Sequence, residues 1–217
     1  MKSDLMNKAD IERLITINVL KHLAENRQYC VPAAVSGRHI HLSLKDAAVL
    51  FGQGYQLRKL RFLSQPGQYV CQEKLKIAGP KGWIDGMRVL GPERPETQVE
   101  VSVTDTFKLG VEAAVKMSGD IAGTPGCVLI GPAGEVTLRQ GVIVSARHLH
   151  ISADEAQAYG VDNGDIVSVK KTGGRETIFE EVIVRAGHSH SLELHIDMDE
   201  ANAACIKSGD LLELIKS

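Results

Sequence analysis

The stretch Val-Ser-Gly-Arg-His-Ile-His-Leu-Ser at residues 35–43 returns as Val-Ser-Ala-Arg-His-Leu-His-Ile-Ser at residues 144–152. Six of the nine positions are identical, and both copies continue into an acidic residue followed by alanine. Histidine alternates with an aliphatic residue in each copy, which is the period-two pattern of a β-strand. The repeat therefore predicts a chain of two related halves, each with one histidine-bearing strand.

Each half also contains a second alternating segment, at residues 99–103 and at residues 194–198. Glu100 and His195 occupy equivalent positions on the polar faces of these predicted strands. Because side chains two residues apart in a strand share a face, each histidine pair can hold one ion, to which the second strand adds a third ligand. The sequence predicts two metal sites, formed by His39, His41 and Glu100 and by His148, His150 and His195.

Imidazole nitrogens suit zinc, and three protein ligands with an open fourth position are typical of a catalytic site. From these residues alone the chemistry is Lewis-acid group transfer or hydrolysis. A third histidine pair, His188 and His190, lies in a Gly-His-Ser-His stretch that we interpret as a turn. We assign these two histidines to the surroundings of the site or to the protein surface.

The composition favours a mainly β fold. Only 4% of the residues are aromatic whereas 21 are glycine, and short apolar runs are separated by Gly-Pro and Gly-Gly pairs, as expected for strands joined by tight turns. Residues 7–25 differ from the rest, because their apolar side chains recur at helical spacing and predict an N-terminal amphipathic helix.

Several classes of protein are excluded or disfavoured. No apolar run is long enough to span a bilayer and no secretory signal is present, so we expect a cytoplasmic protein without a membrane partner. The four cysteines are widely spaced, so we expect reduced core residues. A net charge of −2 argues against nucleic-acid binding, although residues 51–90 carry a net charge of +5 that would favour an anionic ligand.

Three arginines are candidates for anion binding. Arg38 and Arg147 precede the histidine pairs and should point to the opposite face of each strand, which leaves structural ion pairing and substrate contact both open. Arg94 lies in a Gly-Pro-Glu-Arg-Pro stretch that we interpret as a rigid loop ahead of the strand with Glu100. Its guanidinium group could make a two-pronged contact to phosphate.

Distinctive motifs occur along nearly the whole chain after residue 28. They are Ser-Gly-Arg-His-Ile-His-Leu-Ser (36–43), Gln-Pro-Gly-Gln-Tyr (65–69), Arg-Val-Leu-Gly-Pro (88–92), Gln-Val-Glu (98–100), Lys-Met-Ser-Gly (116–119), Gly-Thr-Pro-Gly (123–126), Arg-His-Leu-His (147–150), Glu-Leu-His-Ile-Asp (193–197) and Glu-Ala-Asn-Ala (200–203). In this combination the chain resembles the phosphate propanoyltransferases of bacterial microcompartments, the PduL type of phosphate acyltransferase.

The resemblance implies a mainly β fold of two small β-barrel domains from an internal duplication, capped by short helices and preceded by the N-terminal helix. Residues 28–37 with 146–217 would build one barrel and residues 38–145 the other. It also implies two zinc ions between the barrels. The implied ligands are His39, His41 and Glu100 for the zinc that can meet the sulfur of coenzyme A, and His148, His150 and His195 for the second zinc.

The reaction implied by the resemblance converts acyl-CoA and phosphate into acyl phosphate and coenzyme A, reversibly. Arg94 would bind the phosphate. The phosphate groups of coenzyme A need cationic partners, for which Arg58, Lys59 and Arg61 are candidates, with exposed surface charge as the alternative. The sequence leaves propionyl-CoA and acetyl-CoA both open as substrates.

Residues 1–27 have two interpretations. They form either a solubilising or oligomerising appendage, compatible with a homo-oligomer, or a targeting segment that places the enzyme inside a bacterial microcompartment through contact with shell or cargo proteins. Two rival functions also stay open. One is a zinc-dependent hydrolase that uses metal-bound hydroxide, and the other is a metal-stabilised binding module of a microcompartment.

Overall fold

The computed structural model describes residues 29–215 and, before them, Ile15, Asn18 and Val19. These three residues are helical and their side chains are exposed. The remainder of the helix predicted at 7–25, and of the segment 1–27, lies outside the described residues. In the part of the chain that the structure describes, no helix is long and apolar enough to cross a membrane.

The described chain is a succession of short strands and four short helices. In chain order they are β1 (Cys30–Ser36), β2 (His39–Ser43), α1 (Leu44–Phe51), β3 (Lys59–Phe62), β4 (Tyr69–Ala78), β5 (Trp83–Arg94), β6 (Gln98–Val101), α2 (Val103–Leu109), β7 (Val115–Lys116), β8 (Val128–Ile130), β9 (Glu135–Thr137), β10 (Val142–Ser145), β11 (His148–Ile151), α3 (Ala153–Tyr159), β12 (Ile166–Lys171), β13 (Thr177–Ala186), β14 (Glu193–Asp197), α4 (Met198–Ala204) and β15 (Leu211–Ile215).

The chain divides into two compact units. The first contains the described residues up to Ala34, together with His148–His195 and the described residues from Ala204 onward. The second contains Val35–Arg147 and Ile196–Ala203. The domain boundaries expected from the sequence, 28–37 with 146–217 and 38–145, stay predictions, because contact-defined units need not coincide with domains that fold separately.

Six strands close the barrel, in the order β1, β14, β11, β13, β12, β15. Closure joins distant parts of the sequence, since Cys30 pairs with Glu213 in the antiparallel β1–β15 ladder. Aliphatic side chains fill the interior because alternate residues of each strand point inward. Fully or almost fully buried examples are Val31, Leu149, Val169, Val182, Val184, Leu194, Leu212 and Leu214.

The second unit is built on a nine-stranded sheet in the order β7, β10, β6, β2, β5, β4, β8, β9, with β3 paired to β4. Its core contains Ile40, Leu42, Leu75, Ile77 and Val89, and burying each such side chain stabilises the fold by roughly 1.5–3 kcal/mol. The sheet curves into a half-barrel. The predicted mainly β class with short capping helices is therefore confirmed, with one closed barrel and one half-barrel.

The duplication is visible in the strand pairing. Each histidine-bearing strand lies between an antiparallel strand and a parallel strand: β2 between β6 and β5, and β11 between β14 and β13. All residues of β2 and β11 are buried. The middle residues Ile40 and Leu149 are completely buried, so the alternation fixes the histidines on the opposite face.

All four strands that carry predicted ligands lead directly into a capped helix. A side chain at the end of each strand accepts from the backbone N–H three residues later. The pairs are Ser43 with Asp46, Ser102 with Asp105, Ser152 with Glu155, and Asp197 with Glu200. Such caps stabilise a helix by about 1 kcal/mol and fix the point at which the strand ends.

The caps correct the predicted strand ends. The alternating pattern suggested strands over 99–103 and 194–198, but β6 ends at Val101 and β14 at Asp197. Val103 and Met198 instead begin helices α2 and α4, where both side chains are substantially exposed.

The cysteines are all free thiols, but the expectation that all four lie in the core is wrong. Cys71 and Cys127 are buried, and burial raises the pKa of each thiol to about 12. Cys30 is half-buried, whereas Cys205 is exposed at the end of α4, where it adopts a positive φ of 54°.

Two candidate metal centres

Two neighbouring antiparallel strands assemble the first predicted site. His39 and His41 lie on β2, and Glu100 lies on β6 directly opposite His39. The ligand atoms of the three residues lie within 4.8 Å of one another, and all three residues are buried. We call this set the mixed cluster.

The second predicted site repeats this arrangement. His148 and His150 lie on β11, and His195 lies on β14 directly opposite His148. Their ligand atoms also lie within 4.8 Å of one another, with His195 half-buried and the other two buried. We call this set the histidine cluster. In both clusters, the third residue lies directly opposite the first histidine, on the neighbouring antiparallel strand.

The spacing of the ligand atoms fits a metal ion. With bonds of about 2.0–2.1 Å, two ligands of a tetrahedral zinc ion lie roughly 3.3 Å apart. The Nε2 atoms of His148 and His150 are 3.1 Å apart. In the mixed cluster, Oε1 of Glu100 lies 3.5 Å from Nε2 of His39 and 3.8 Å from Nε2 of His41. Both sets could therefore hold a metal ion.

A buried nitrogen supports this interpretation of the histidine cluster. Nδ1 of His150 is buried and has no hydrogen-bond partner within the described part of the chain. Leaving such a polar group unsatisfied costs about 1–3 kcal/mol. Bonds between an ion and Nε2, the nitrogen that faces His148, would offset this cost in the total free energy of the folded protein.

Hydrogen bonds orient one ring in each cluster. Nδ1 of His39 lies 2.8 Å from the carbonyl oxygen of Gly37, which directs Nε2 towards Glu100. Nε2 of His195 lies 2.9 Å from a carboxylate oxygen of Glu193. Such contacts to the second ring nitrogen fix the tautomer and raise the basicity of a ligating imidazole.

The protonation states of three of the proposed ligands suit metal binding, whereas His39 would have to lose a proton more readily than its surroundings favour. Burial opposes ionisation of His39, but Glu100 outweighs burial and raises the pKa of this imidazole above 6.5. Burial opposes ionisation of Glu100, but His39, His41 and the hydroxyl group of Ser118 outweigh it and hold the carboxyl pKa well below its ordinary value. Burial and the charge of His39 lower the pKa of His41 well below 6.5. Burial and its histidine neighbours lower the pKa of His150 to about 2. An ionised carboxylate and neutral imidazoles are the forms that bind metals.

Two residues that the sequence analysis gave no role support Glu100. Gln98 donates to Glu100 Oε1 at 2.6 Å, and Ser118 donates to the same oxygen at 2.8 Å. The carbonyl group of Gln98 accepts from the backbone N–H of Gly119 at 2.6 Å, which fixes the orientation of its amide. Gln98 was detectable as the residue two before Glu100 on the same strand face, whereas nothing local to Ser118 indicated this contact.

Arg94 joins this hydrogen-bond network. Its Nη1 donates to the Ser118 hydroxyl oxygen at 2.9 Å, so two hydrogen bonds connect the guanidinium group to Glu100. The expected loop position is wrong, because Arg94 is the last residue of β5, opposite Ser43 of β2. Strand pairing thus holds Arg94 more firmly than a loop would.

A cavity of about 400 Å³ opens beside Arg94 within the second unit. It is lined by the start of α1 and by residues 94–97 and 138–140, and Lys45 and Arg139 contribute further positive charge. Asp46 and Glu96 also border it. The cavity provides room for a small anion next to the guanidinium group.

The arginines before the two histidine pairs form ion pairs. Arg38 donates to Asp105 at 2.8 Å, and Arg147 donates to Glu200 at 2.7 Å. Asp105 and Glu200 each lie five residues after the third member of a cluster and close the capping box of the following helix. Of the two alternatives that the sequence left open, the structure therefore shows ion pairing.

The basic segment proposed for coenzyme A lies on and just before the exposed strand β3. Arg58 Nε donates to the buried carboxylate of Glu73 at 3.0 Å. The ammonium group of Lys59 lies 4.6 Å from the centre of the Tyr69 ring. Arg61 is exposed. Binding of coenzyme A by these residues stays a prediction.

The fold and the two clusters define a mainly β protein in which each half of a duplication presents three side chains that could hold a metal ion. The sequence model of the phosphate propanoyltransferase family matches residues 32–207. A phosphate propanoyltransferase of Enterococcus faecalis is 47% identical over 180 residues, which cover 83% of this chain and 85% of that protein. One from Thermotoga maritima is 50% identical over 160 residues, covering 73% and 76%.

A third phosphate propanoyltransferase, from Priestia megaterium, is 45% identical over 191 residues, covering 87% of this chain and 88% of that protein. The chain therefore belongs to the phosphate propanoyltransferase family. It is an enzyme of the acyltransferase class.

Proposed function

We propose that the protein transfers a short-chain acyl group, propionyl or acetyl, between coenzyme A and inorganic phosphate, with zinc bound by the mixed cluster and by the histidine cluster. The family and the names of the relatives support the reaction. The link from Arg94 through Ser118 to Glu100 is the observation that carries the proposal, because two hydrogen bonds connect the guanidinium group proposed to bind phosphate with the carboxylate proposed to bind zinc.

Phosphate recognition rests on Arg94. A guanidinium group presents parallel N–H donors that match two oxygens of phosphate. Ser118 accepts from Arg94 and donates to Glu100, so it restrains both groups at once. A phosphate held in this way is oriented for attack, and this positioning can supply a large part of the rate acceleration.

The reaction needs no protein nucleophile. A phosphate oxygen forms a bond to the thioester carbonyl carbon, the carbon–sulfur bond breaks, and coenzyme A leaves as a thiolate. Bound zinc would polarise the thioester carbonyl and stabilise the leaving thiolate. Glu100 stays ionised through its contacts to the cluster histidines and Ser118, so this carboxylate does not compete for a proton during transfer.

Zinc is the proposed metal because five of the six ligands are imidazoles and the atom spacing matches tetrahedral coordination. For coenzyme A, we propose that Lys59 and Arg61 bind its phosphate groups, with Arg58 contributing the guanidinium donors that Glu73 does not use. Exposure of the strand supports access for so large a substrate.

The test measures release of free coenzyme A from propionyl-CoA and acetyl-CoA, with and without phosphate, alongside metal analysis of the purified protein. Phosphate-dependent release with two zinc ions per chain is expected. Release without phosphate would favour the hydrolase, and absence of release would favour the binding module. Arg94→Met should raise the KM for phosphate at least tenfold, whereas Arg175→Met, which alters an exposed arginine that does not line the cavity, should change it little.

We also propose that residues 1–27 place the enzyme in a bacterial microcompartment through contact with shell or cargo proteins. Ile15 and Val19 support this, because both are helical and more than half exposed, at 57% and 52%. A chain that lacks residues 1–27 should be fully active but diffuse in the cell, as judged by fluorescence microscopy. Persistent encapsulation of the truncated enzyme would contradict the proposal.

A further inference from the structure

His190 lies against the histidine cluster, although it was assigned only to the surroundings or the surface. The centre of its ring is 4.5 Å from that of His150, with an angle of 39° between the ring planes. His190 is half-buried, whereas His188, two residues earlier, is exposed. The two histidines of this pair therefore occupy different environments.

The loop between β13 and β14 holds His190 in this place. The backbone N–H of Gly187 donates to the carbonyl oxygen of Ile151 at 3.0 Å, which ties the loop to the end of β11. The backbone N–H of His190 then donates to Gly187 at 3.2 Å. A Cβ atom at position 187 would lie 3.2 Å from Cδ2 of His190, so glycine leaves the space that the imidazole ring occupies.

The contact with His150 is not a hydrogen-bonded pair. Nδ1 of His150 has no hydrogen-bond partner among the described residues, and its Nε2 faces His148 at 3.1 Å. His190 thus brings a fourth imidazole to the rim of a three-histidine set without satisfying either nitrogen of its neighbour. No hydrogen bond to His150 therefore fixes the orientation of the His190 ring.

We propose that His190 is a fourth ligand of the ion bound by the histidine cluster when substrate is absent. This inference rests on the proposed function, because it requires a metal ion at His148, His150 and His195. The nitrogens of His190 lie outside the set within 4.8 Å, so the ring must rotate about its side-chain bonds to reach the ion. Its partial exposure leaves room for this rotation.

A fourth imidazole would complete a tetrahedral shell that three histidines leave open. In the substrate-free protein it would raise the affinity for the ion and exclude adventitious ligands from the open position. A substrate oxygen could then replace His190, since a loop residue can withdraw without disturbing the three strand-borne rings. His190 would therefore be an exchangeable ligand, and His148, His150 and His195 the permanent ones.

The test isolates the histidine cluster by using the full chain with His39→Ala and Glu100→Ala as the background. Zinc affinity is measured by competition with a chromophoric chelator, and the coordination number is read from the visible absorption of the cobalt-loaded protein. His190→Ala should weaken zinc binding about tenfold or more and shift the cobalt bands. His188→Ala is the matched control and should change neither.

A second substitution separates ligation from packing. His190→Phe keeps a ring against His150 but has no nitrogen, so it should behave like His190→Ala. Wild-type zinc affinity and cobalt bands in His190→Phe would overturn the proposal. Absence of metal binding in the background protein would instead refute the metal site itself, so the two failures are distinguishable. Circular dichroism confirms that each variant is folded before its affinity is compared.

Discussion

The guanidinium group of Arg147 donates a 2.7 Å hydrogen bond to the carboxylate of Glu200. The same relationship joins Arg38 to Asp105 in the other copy of the repeat. In each case the residue before a histidine pair is bound to the first turn of the helix that follows the third ligand. Both copies of the repeat therefore contain this ion pair as well as the three candidate metal ligands.

Removing this ion pair should reduce stability unequally in the two copies. The side chain of Arg147 is 32% exposed, whereas that of Arg38 is 47% exposed. We expect Arg147→Gln to lower the free energy of unfolding by about 1 kcal/mol and Arg38→Gln by less than about 1 kcal/mol, since solvent screens exposed pairs. Urea unfolding followed by circular dichroism measures both. Arg175→Gln, at an exposed arginine, is the control, and an equal loss there would contradict the prediction.

Ser118 should be important for phosphate binding although it need not bind metal. Ser118→Ala removes the acceptor of Arg94 and a donor to Glu100. We expect the KM for phosphate to rise and kcat/KM to fall by about tenfold, which corresponds to about 1.4 kcal/mol of transition-state stabilisation. Initial-rate kinetics at varied phosphate concentration measures the effect. Ser189→Ala, at an exposed serine, should leave the rates unchanged, and wild-type kinetics for Ser118→Ala would refute the proposed role.

Substitution by alanine should be tolerated at Gly37 but not at Gly126. Gly37 precedes the first Arg-His pair, where the second copy has Ala146, and a Cβ atom there would meet nothing within 4 Å. A Cβ atom at Gly126 would lie 1.9 Å from the carbonyl oxygen of Leu138. We expect Gly37→Ala to keep the melting temperature of the wild type, and Gly126→Ala to lower it by several degrees or prevent folding. Thermal unfolding distinguishes the two outcomes, and similar melting temperatures would contradict the prediction.

The ionised carboxylate of Glu73 should stabilise the folded protein at neutral pH, and this stabilisation should be lost in acid. Burial opposes its ionisation, but hydrogen bonds from Tyr55 and Arg58 outweigh burial and lower the carboxyl pKa below 4.5. A depressed folded-state pKa gives stability that is present above the unfolded value and is lost as the pH falls through the folded value. Glu73→Gln should therefore be less stable than wild type at pH 7, by about 1–3 kcal/mol, and the difference should shrink near pH 4.

The measurement for Glu73 is urea unfolding of metal-free protein at the two pH values. Glu135→Gln, which changes an exposed carboxylate of β9, provides the comparison. A stability difference for Glu73→Gln that is as large at pH 4 as at pH 7 would show that the network does not depend on ionisation.

The strands that carry the candidate metal ligands could be predicted because the alternating pattern that indicates them lies within a few consecutive residues. An alternating pattern fixes which side chains share a face, and duplication of the pattern indicated which histidines belong together. The placement of Glu100 and His195 opposite His39 and His148 then follows from equivalent pairing in both halves. The expectation of two small β-barrels came from the family resemblance, because pairings such as Cys30 with Glu213 leave no periodic signal in the sequence. The half-barrel form of the second unit was not predicted.

The remaining features depend on long-range geometry. Ser118 reaches Glu100 only because the chain after β7 returns to β6, and Arg94 is held by its place at the end of β5. Cys205 shows the limit of inference from residue type, since a residue that is usually buried lies in an exposed turn. For β6, the capping pair Ser102 and Asp105 was present in the sequence and indicated the strand end more reliably than apolar alternation.

Glu100 in the mixed cluster corresponds to His195 in the histidine cluster, so the two clusters differ in charge by one carboxylate. A divalent ion neutralised in part by one carboxylate would keep a single residual positive charge, whereas the same ion among three neutral imidazoles would keep both. A single residual charge is balanced by a thiolate, and a double charge is balanced by the dianion of hydrogen phosphate. Divergence at the position of Glu100 and His195 would thus have given two bound ions of different strength as electrophiles.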